Sequence, residues 1–308
     1  MAVLVFTTMT GCSHQKTEAP GNNGASESIT GSSKASGGQT DSNPKDKNIA
    51  SITQKPGAPI DGKILLEELI AAYQNAKSMQ ISTNAYVKLN FGPTQEFNQE
   101  SLLKFQREPG QLYMNVKDPA SGTHILLADG TSLISYTGLT NQYTRRSLGS
   151  DLIAICRKIN QEIPQTMAAP LFLISKGMPL GISTAKYIHN ETVNGTSAQI
   201  VRGAYNPSYL ADLGKNIFHI KMSPGPGSCS YEVAIDPNTH LLLRSTIHLV
   251  WNGMIQDQKG RKVPFTPMID ITETVTNCSV NPRFSNEEFR FTIPKGATEK
   301  FIEGSSDL

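Results

Sequence analysis

Alternation of apolar and polar residues over an unusually long stretch is the feature that most constrains this fold. In residues 81–91, ISTNAYVKLNF, every second side chain from Ile81 to Phe91 is apolar or small, and the residues between them are polar. A period of two places one set of side chains on each face of a strand, and strands usually run for only about five or six residues. The stretch therefore predicts a long strand with one buried face.

Further strands are predicted along most of the remaining chain, at 101–108, 111–118, 123–129, 132–138, 185–193, 197–205, 216–223, 230–236, 241–251 and 268–280. The connections are short. Pro109-Gly110 is typical of a turn, and Asp236-Pro237-Asn238 suits a four-residue turn of type I. Short connections join antiparallel neighbours, so the sequence predicts an antiparallel meander. A last alternation, of Phe289, Phe291 and Ile293, predicts a closing strand.

Helical periodicity interrupts this pattern at two places. Residues 63–79 repeat apolar side chains at three- and four-residue steps, and Asp61 is placed to cap the helix. Residues 150–162 show the same spacing after a Ser-Asp pair, and Pro164 begins a second apolar piece that runs to Gly177. A pair of short apolar helices inside a β sequence predicts a lid over the sheet.

The N-terminal sixty residues have a different character from the rest. Residues 13–62 are rich in Ser, Gly, Asn, Thr, Lys and Pro and contain no aromatic residue, which predicts a disordered tether. The apolar run before it ends in Met9-Thr10-Gly11-Cys12, which resembles the lipobox of bacterial lipoproteins. By that resemblance residues 1–12 are a signal peptide ending in an acylated Cys12. The run is short for such a signal, so we expect translation to begin upstream of Met1.

The whole pattern resembles the LolA/LppX/RseB superfamily of envelope lipoproteins, which includes outer-membrane lipoprotein-sorting proteins and DUF2092-like proteins. The most specific segments are 236–244 and 286–297, together with the lipobox, the solvated linker and the N-terminal helix. The resemblance implies a mainly β, α+β fold for residues 63–308. This fold is an unclosed antiparallel half-barrel of about eleven strands with helices covering the concave face. It also implies an apolar cavity for acyl chains.

The side chains expected to line that cavity come from the lid helices and the early strands. A twisted sheet curved around helices leaves an apolar pocket wherever lid side chains do not fill the concave face. A dry core built from the same residues is the alternative. The candidates are Leu152, Ile155, Ile159, Met167, Leu171 and Phe172 from the lid, with Val87, Leu89, Leu112 and Met114 from the strands.

Other ligand classes find little support. With 28 basic and 26 acidic residues the net charge is +2, and no basic block is interleaved with aromatics, which argues against nucleic acid. The six histidines are scattered. His240 and His248 share an element, yet along a strand they would stand about 26 Å apart, too far to bind one metal ion. We therefore predict no metal, no cofactor and no catalytic residue.

The cysteines leave one alternative open. After Cys12, an odd number remains, and none forms a CxxC pair. A disulfide between Cys229 and Cys278 would suit an oxidising compartment, but the expected strand register places the two residues at opposite ends of the meander. Cys156 falls on a helix face and is predicted to be a small buried residue.

These patterns favour a non-enzymatic lipoprotein that is tethered to a membrane through its N-terminal lipid and binds lipid or lipoprotein acyl chains. Ser13 after the acylated cysteine favours the outer membrane, facing the periplasm, in a cell with two membranes. Two alternatives remain. One is a sensor similar to RseB that acts through an envelope protein partner, and the other is a hydrolase whose site has no recognised motif.

Overall fold

The computed structural model describes residues 59–90, 92–119, 122–149, 151–162, 169–175, 182–206, 228–256 and 261–300. The predicted signal and acylated Cys12, nearly all of the predicted tether, the predicted strand at 216–223, and Met167 lie outside these residues. Within them the helices are α1 Gly62–Asn75, α2 Leu152–Glu162 and α3 Ala169–Ser175.

The strands are β1 Ser78–Asn90, β2 Thr94–Gln106, β3 Gln111–Asp118, β4 Gly122–Ala128, β5 Ser132–Thr137, β6 Gln142–Ser147, β7 Ile182–Val193, β8 Thr196–Tyr205, β9 Ser228–Ile235, β10 Leu242–Val250, β11 Gly253–Gln256, β12 Lys262–Phe265, β13 Met268–Val280 and β14 Thr298–Glu299. Twelve form one sheet in the order β14-β6-β5-β4-β3-β2-β1-β13-β10-β9-β8-β7, and β11 pairs with β12 separately. Each pair in the large sheet is antiparallel except β14 with β6. Because β14 and β7 end the order, the sheet is unclosed, and the predicted antiparallel half-barrel is confirmed.

The sheet buries side chains on both faces. Along β4, Leu126 and Ala128 join the main hydrophobic core, whereas Leu127 between them packs with Phe289 on the other side. We call the face of Leu126 the inner face and the face of Leu127 the outer face. All three helices contribute to the same core as the inner face, so they cover that face, as predicted.

Helix α1 begins as predicted but ends earlier. The Asp61 carboxylate accepts a hydrogen bond from the Lys63 backbone N–H at 2.8 Å, which caps the first turn. The helix was predicted to reach Met79 but ends at Asn75. The Arg107 guanidinium donates to the carbonyl oxygens of Tyr73 and Ala76 at 2.9 and 2.8 Å, and these bonds satisfy acceptors at the helix end. Ser78 and Met79 then pair with β2 and belong to β1.

The lid helices lie within the predicted segments. The Asp151 carboxylate accepts from the Ile153 N–H at 3.0 Å, so Asp151 is the cap of α2. Helix α3 occupies Ala169–Ser175, with Pro170 in its first turn, where a missing N–H costs no intrahelical hydrogen bond. Helices α2 and α3 pack against each other, and α1 packs against α3 and β7.

The C-terminal segment was wrongly predicted as a strand. Asn286–Phe289 forms a 3₁₀ turn closed by the hydrogen bonds Glu288 N–H to Ser285 C=O and Arg290 N–H to Glu287 C=O. Phe289, with Phe284 and Phe291 beside it, packs on Leu127 and Ile134 of the outer face. In one continuous strand Phe284 and Phe289, an odd number of residues apart, would point to opposite faces, whereas the turn lets both pack on the same face of the sheet.

The β9–β10 hairpin is present, but its turn is longer than the predicted four-residue turn. The Asp236 carboxylate accepts from the Asn238 N–H and the Thr239 hydroxyl, and the Asp236 carbonyl accepts from the His240 N–H, four residues on. His240 has a φ of 55°, in the left-handed region. His240 therefore lies in the turn and shares no strand with His248, contrary to the prediction.

Candidate functional site

Most of the predicted lining residues lie together beneath the helices. Six of these residues are almost fully buried and belong to one continuous hydrophobic core, and Phe172 is partly buried and packs at the edge of that core. The members of this group are Leu152, Ile155, Ile159 and Leu171 from the helices and Leu112 and Met114 from β3. We call this region the helix-covered zone. Here side chains of the sheet meet side chains of the protein's own helices.

Val87 and Leu89 lie in a different part of the inner face. Strand register places Val87 beside Ile271, which faces Ile247, and places Leu89 beside Ile269, which faces Leu249. These six aliphatic side chains form two rows of three across β1, β13 and β10, and none belongs to the core made with α1–α3. We call this group the second apolar zone. Leu89 is half-buried, and the other members are buried.

Two polar side chains, Glu273 of β13 and Thr83 of β1, separate the two zones and were not predicted from the sequence. We call them the polar row. Glu273 on β13 lies between Ala85 on β1 and Ser245 on β10, and its side chain is buried. Its carboxylate accepts from the Thr83 hydroxyl at 2.7 Å and from the Ala169 N–H at 2.6 Å. The sequence does contain a pattern that could have indicated this site. In the alternation of residues 269–275, Glu273 occupies an inward position where the other inward residues are apolar.

Burial controls the ionisation of this carboxyl. Loss of solvation raises the pKa of Glu273 to about 7, although its hydrogen bonds from Thr83 and Ala169 act in the opposite direction. The phenol of Tyr73 on α1 is also fully buried. Its pKa is well above the ordinary value, chiefly through the same loss of solvation and with smaller contributions from Cys278 and Glu273. Glu273 on the inner face therefore titrates near neutral pH, whereas the Tyr73 phenol on α1 stays neutral.

The outer face carries paired charges and a small depression. Arg202 contacts Glu232 at 2.6 Å, and Arg244 contacts Glu191 at 2.6 Å and Glu232 at 3.3 Å. The depression, of about 180 Å³, is lined by Arg202, Ser230, Tyr231, Glu232, Thr246 and His248. His248 is in turn paired with Asp270. This depression is too small to hold a hydrocarbon chain, for which sites are larger.

The described residues show neither a reactive thiol nor a metal cluster. Cys156, Cys229 and Cys278 are free, and the register places Cys229 opposite Leu249 and Cys278 opposite Ile81, far apart as predicted. Burial raises the pKa of Cys156 to about 12 and that of Cys278 to about 11, so both thiols remain protonated at neutral pH. Within the described ranges no three His, Cys, Asp or Glu side chains are grouped to hold a metal ion.

Glu287 and Glu288 form separate ion pairs. They lie in the 3₁₀ turn, where Glu288 contacts Lys104 at 2.7 Å and Glu287 contacts Arg290 at 2.6 Å. Each pair is an outer-face ion pair. Among the helices that the structure describes, none is long and apolar enough to cross a membrane.

Comparison with known proteins gave matches among solved structures. No family model and no curated protein matches the chain. The lipoprotein LppX of Mycobacterium tuberculosis is 12% identical, with 72% of this chain and 96% of that chain covered and a TM-score of 0.39. LprF from Mycobacterium bovis is 16% identical, with 77% and 97% covered and a TM-score of 0.35. The LolA superfamily protein NE2245 from Nitrosomonas europaea is 10% identical, with 76% and 99% covered and a TM-score of 0.29.

Proposed function

We propose that this chain is a non-enzymatic envelope lipoprotein that holds the acyl chains of lipids or of lipoproteins against the inner face of its half-barrel. The observation that carries the proposal is the second apolar zone, two rows of aliphatic side chains on three adjacent strands that take no part in the helix-covered core. Rows of aliphatic side chains bind hydrocarbon through the hydrophobic effect and need no charged partner.

The proposal includes a membrane anchor. Residues 1–12 serve as the signal that ends in an acylated Cys12, residues 13–62 as the tether, and residues 63–308 as the folded domain on the extracytoplasmic side. In a cell with two membranes the domain faces the periplasm from the outer membrane. Acyl chains on one cysteine anchor a protein because each buried methylene contributes about 0.8 kcal/mol.

The anchor is tested by cell fractionation. Cys12→Ala is expected to move the chain from the membrane fraction to the soluble fraction, or to leave it unprocessed. Ser13→Ala is the matched control and leaves the chain in the membrane fraction. A Cys12→Ala chain that is processed and still sediments with membranes would show that Cys12 is not the anchor.

Lipid binding is tested by native mass spectrometry of the full chain in its Cys12→Ala form, purified without detergent. Retained lipid at a defined stoichiometry supports the proposal. Leu89→Asp is expected to reduce that retention at least several-fold, because a carboxylate in an apolar contact surface is costly to desolvate. Tyr86→Asp is the matched control, since Tyr86 lies on the same strand, points to the opposite face and is exposed.

Two outcomes would contradict the proposal. One is equal lipid retention in both variants with the fold intact, which would remove the second apolar zone from the site. The other is a chain that carries no lipid but copurifies at fixed stoichiometry with an envelope protein, which would favour the sensor that acts through a partner.

A further inference from the structure

Glu273 is the one glutamate of the main sheet that is sealed inside the protein among the residues that the structure describes. Its exposed fraction is 3%, whereas Glu232 and Glu288 on the outer face are partly exposed and each contacts a basic side chain. An acidic residue without a cation in an apolar interior is rare, because burial of a charge costs free energy that nothing nearby offsets.

The two carboxylate oxygens of Glu273 connect two parts of the fold. Oε1 accepts from the Thr83 hydroxyl of β1 at 2.7 Å, and Oε2 accepts from the backbone N–H of Ala169, the first residue of α3, at 2.6 Å. Thr83 also shares a hydrogen bond with Ser101 of β2 at 2.7 Å. Glu273 therefore joins the helical cover directly to the centre of the sheet.

Both protonation states satisfy these hydrogen bonds but at different cost. As a carboxylate, Glu273 accepts from Thr83 and from Ala169. As a neutral acid it still accepts from Ala169 and can donate to the Thr83 hydroxyl, which then donates to Ser101. The neutral form makes an equivalent set of bonds without a buried charge.

Among the described residues, no basic side chain contacts the Glu273 carboxylate. In the part of the chain that the structure describes, α3 carries no ionisable side chain, and Ala85 of β1 and Ser245 of β10 lie opposite Glu273. Ser101 of β2 lies opposite Thr83. Among the described residues on this side, the phenol of Tyr73 on α1 is buried and interacts with the Cys278 thiol. Both stay neutral at physiological pH, because burial raises the pKa of each.

We propose that Glu273 is a pH-sensitive latch between α3 and the inner face of the sheet, in which the neutral acid holds the helical cover closed and the carboxylate loosens it. The latch itself is a property of the fold. Its use, to admit or release an acyl chain, rests on the proposed function.

The direction of the pH effect follows from linkage. Burial raises the pKa of Glu273 from 4.5 to about 7 in the closed state, and an opened state that admits water restores the lower value. The closed state therefore binds the proton more tightly. The stabilisation of the closed state by this proton is therefore complete below pH 4.5, falls as the pH rises, and is lost above pH 7. Opening of α3 is expected to increase about tenfold between pH 6 and pH 8.

Hydrogen–deuterium exchange of the full chain measures this opening. At each pH the exchange of a peptide that covers α3 is compared between wild type and Glu273→Gln, so the intrinsic pH dependence of amide exchange cancels. Glutamine keeps the acceptor for Ala169 and the donor for Thr83 but cannot ionise. The expected ratio of wild-type to variant exchange rises about tenfold from pH 6 to pH 8. Glu288→Gln, which removes an outer-face carboxylate, keeps the wild-type profile.

A ratio that does not change with pH overturns the latch. If Glu273→Gln does not fold, Thr83→Val provides the second test. Loss of the hydroxyl that donates to the carboxylate moves the midpoint of the α3 exchange profile to higher pH, and an unmoved midpoint overturns the latch equally. Lipid retention at pH 6 and pH 8 is measured separately by native mass spectrometry. A latch that operates in a chain that binds no lipid contradicts the proposed function alone, and lipid retention with pH-independent α3 exchange contradicts the latch alone.

Discussion

The inner face of the sheet has two apolar zones that are built from similar residues and differ in what they contact. In the helix-covered zone, Leu112 and Met114 of β3 pack against Ile155 and Leu171 of the helices in one core. In the second apolar zone, aliphatic side chains of β1, β13 and β10 lie beside one another in register and outside that core. Inward-facing apolar residues thus serve two purposes here, cohesion of the fold in one zone and, in our proposal, a surface for acyl chains in the other.

The polar row explains why the two zones remain separate. Glu273 and Thr83 occupy the positions on β13 and β1 where the helix-covered core gives way to the second zone. A buried carboxyl must keep its hydrogen-bond partners, and this requirement fixes the start of α3 at one place on the sheet. Glu273 therefore holds the start of α3 at the border of the helix-covered zone.

The largest contrast between the zones is expected for Ile155→Ala in the helix-covered zone. Ile155 is 1% exposed, and removal of its side chain leaves a cavity among tightly packed neighbours. We expect a loss of about 2 to 5 kcal/mol in the free energy of unfolding, measured by urea denaturation. Leu139→Ala is the control, because Leu139 is 51% exposed, and its cost is expected to stay within about 0.5 kcal/mol. Similar costs for the two substitutions would mean that α2 is not packed in the core.

A smaller effect is expected from loss of the bonds between α1 and the sheet. Arg107→Ala removes two charge-assisted hydrogen bonds to the carbonyls of Tyr73 and Ala76 and is expected to cost about 1.5 to 3 kcal/mol in urea denaturation. Arg202→Ala provides the comparison, because Arg202 forms an exposed outer-face ion pair worth at most about 1 kcal/mol. If Arg107→Ala proves as mild as Arg202→Ala, the bonds from Arg107 do not contribute to holding α1 in place.

The sequence predicted which side chains point inward but not what each one meets. Alternation in residues 81–91 correctly placed Val87 on the buried face, because side-chain direction in a strand depends only on local geometry. The alternation could not show that Leu112 packs under the helices and Val87 does not. That difference depends on where helices far along the chain pack on the sheet. The end of α1 and the 3₁₀ turn at 286–289 were missed for the same reason. Arg107 and the outer-face residues Leu127 and Ile134 determine them through contacts distant in sequence.

The smallest effect on stability, and the one that most sharpens the comparison, is expected for Leu89→Ala in the second apolar zone. Leu89 is half-buried and lies outside the helix-covered core, so its removal leaves no closed cavity. We expect a cost below about 1 kcal/mol in urea denaturation of lipid-free protein, well under that of Ile155→Ala. The lipid-free form is required because a bound ligand adds its own stabilisation to the folded state. A cost above about 2 kcal/mol would mean that protein side chains pack this zone as tightly as the first. In that case no apolar surface would remain for an acyl chain, and the distinction between the two zones would be wrong.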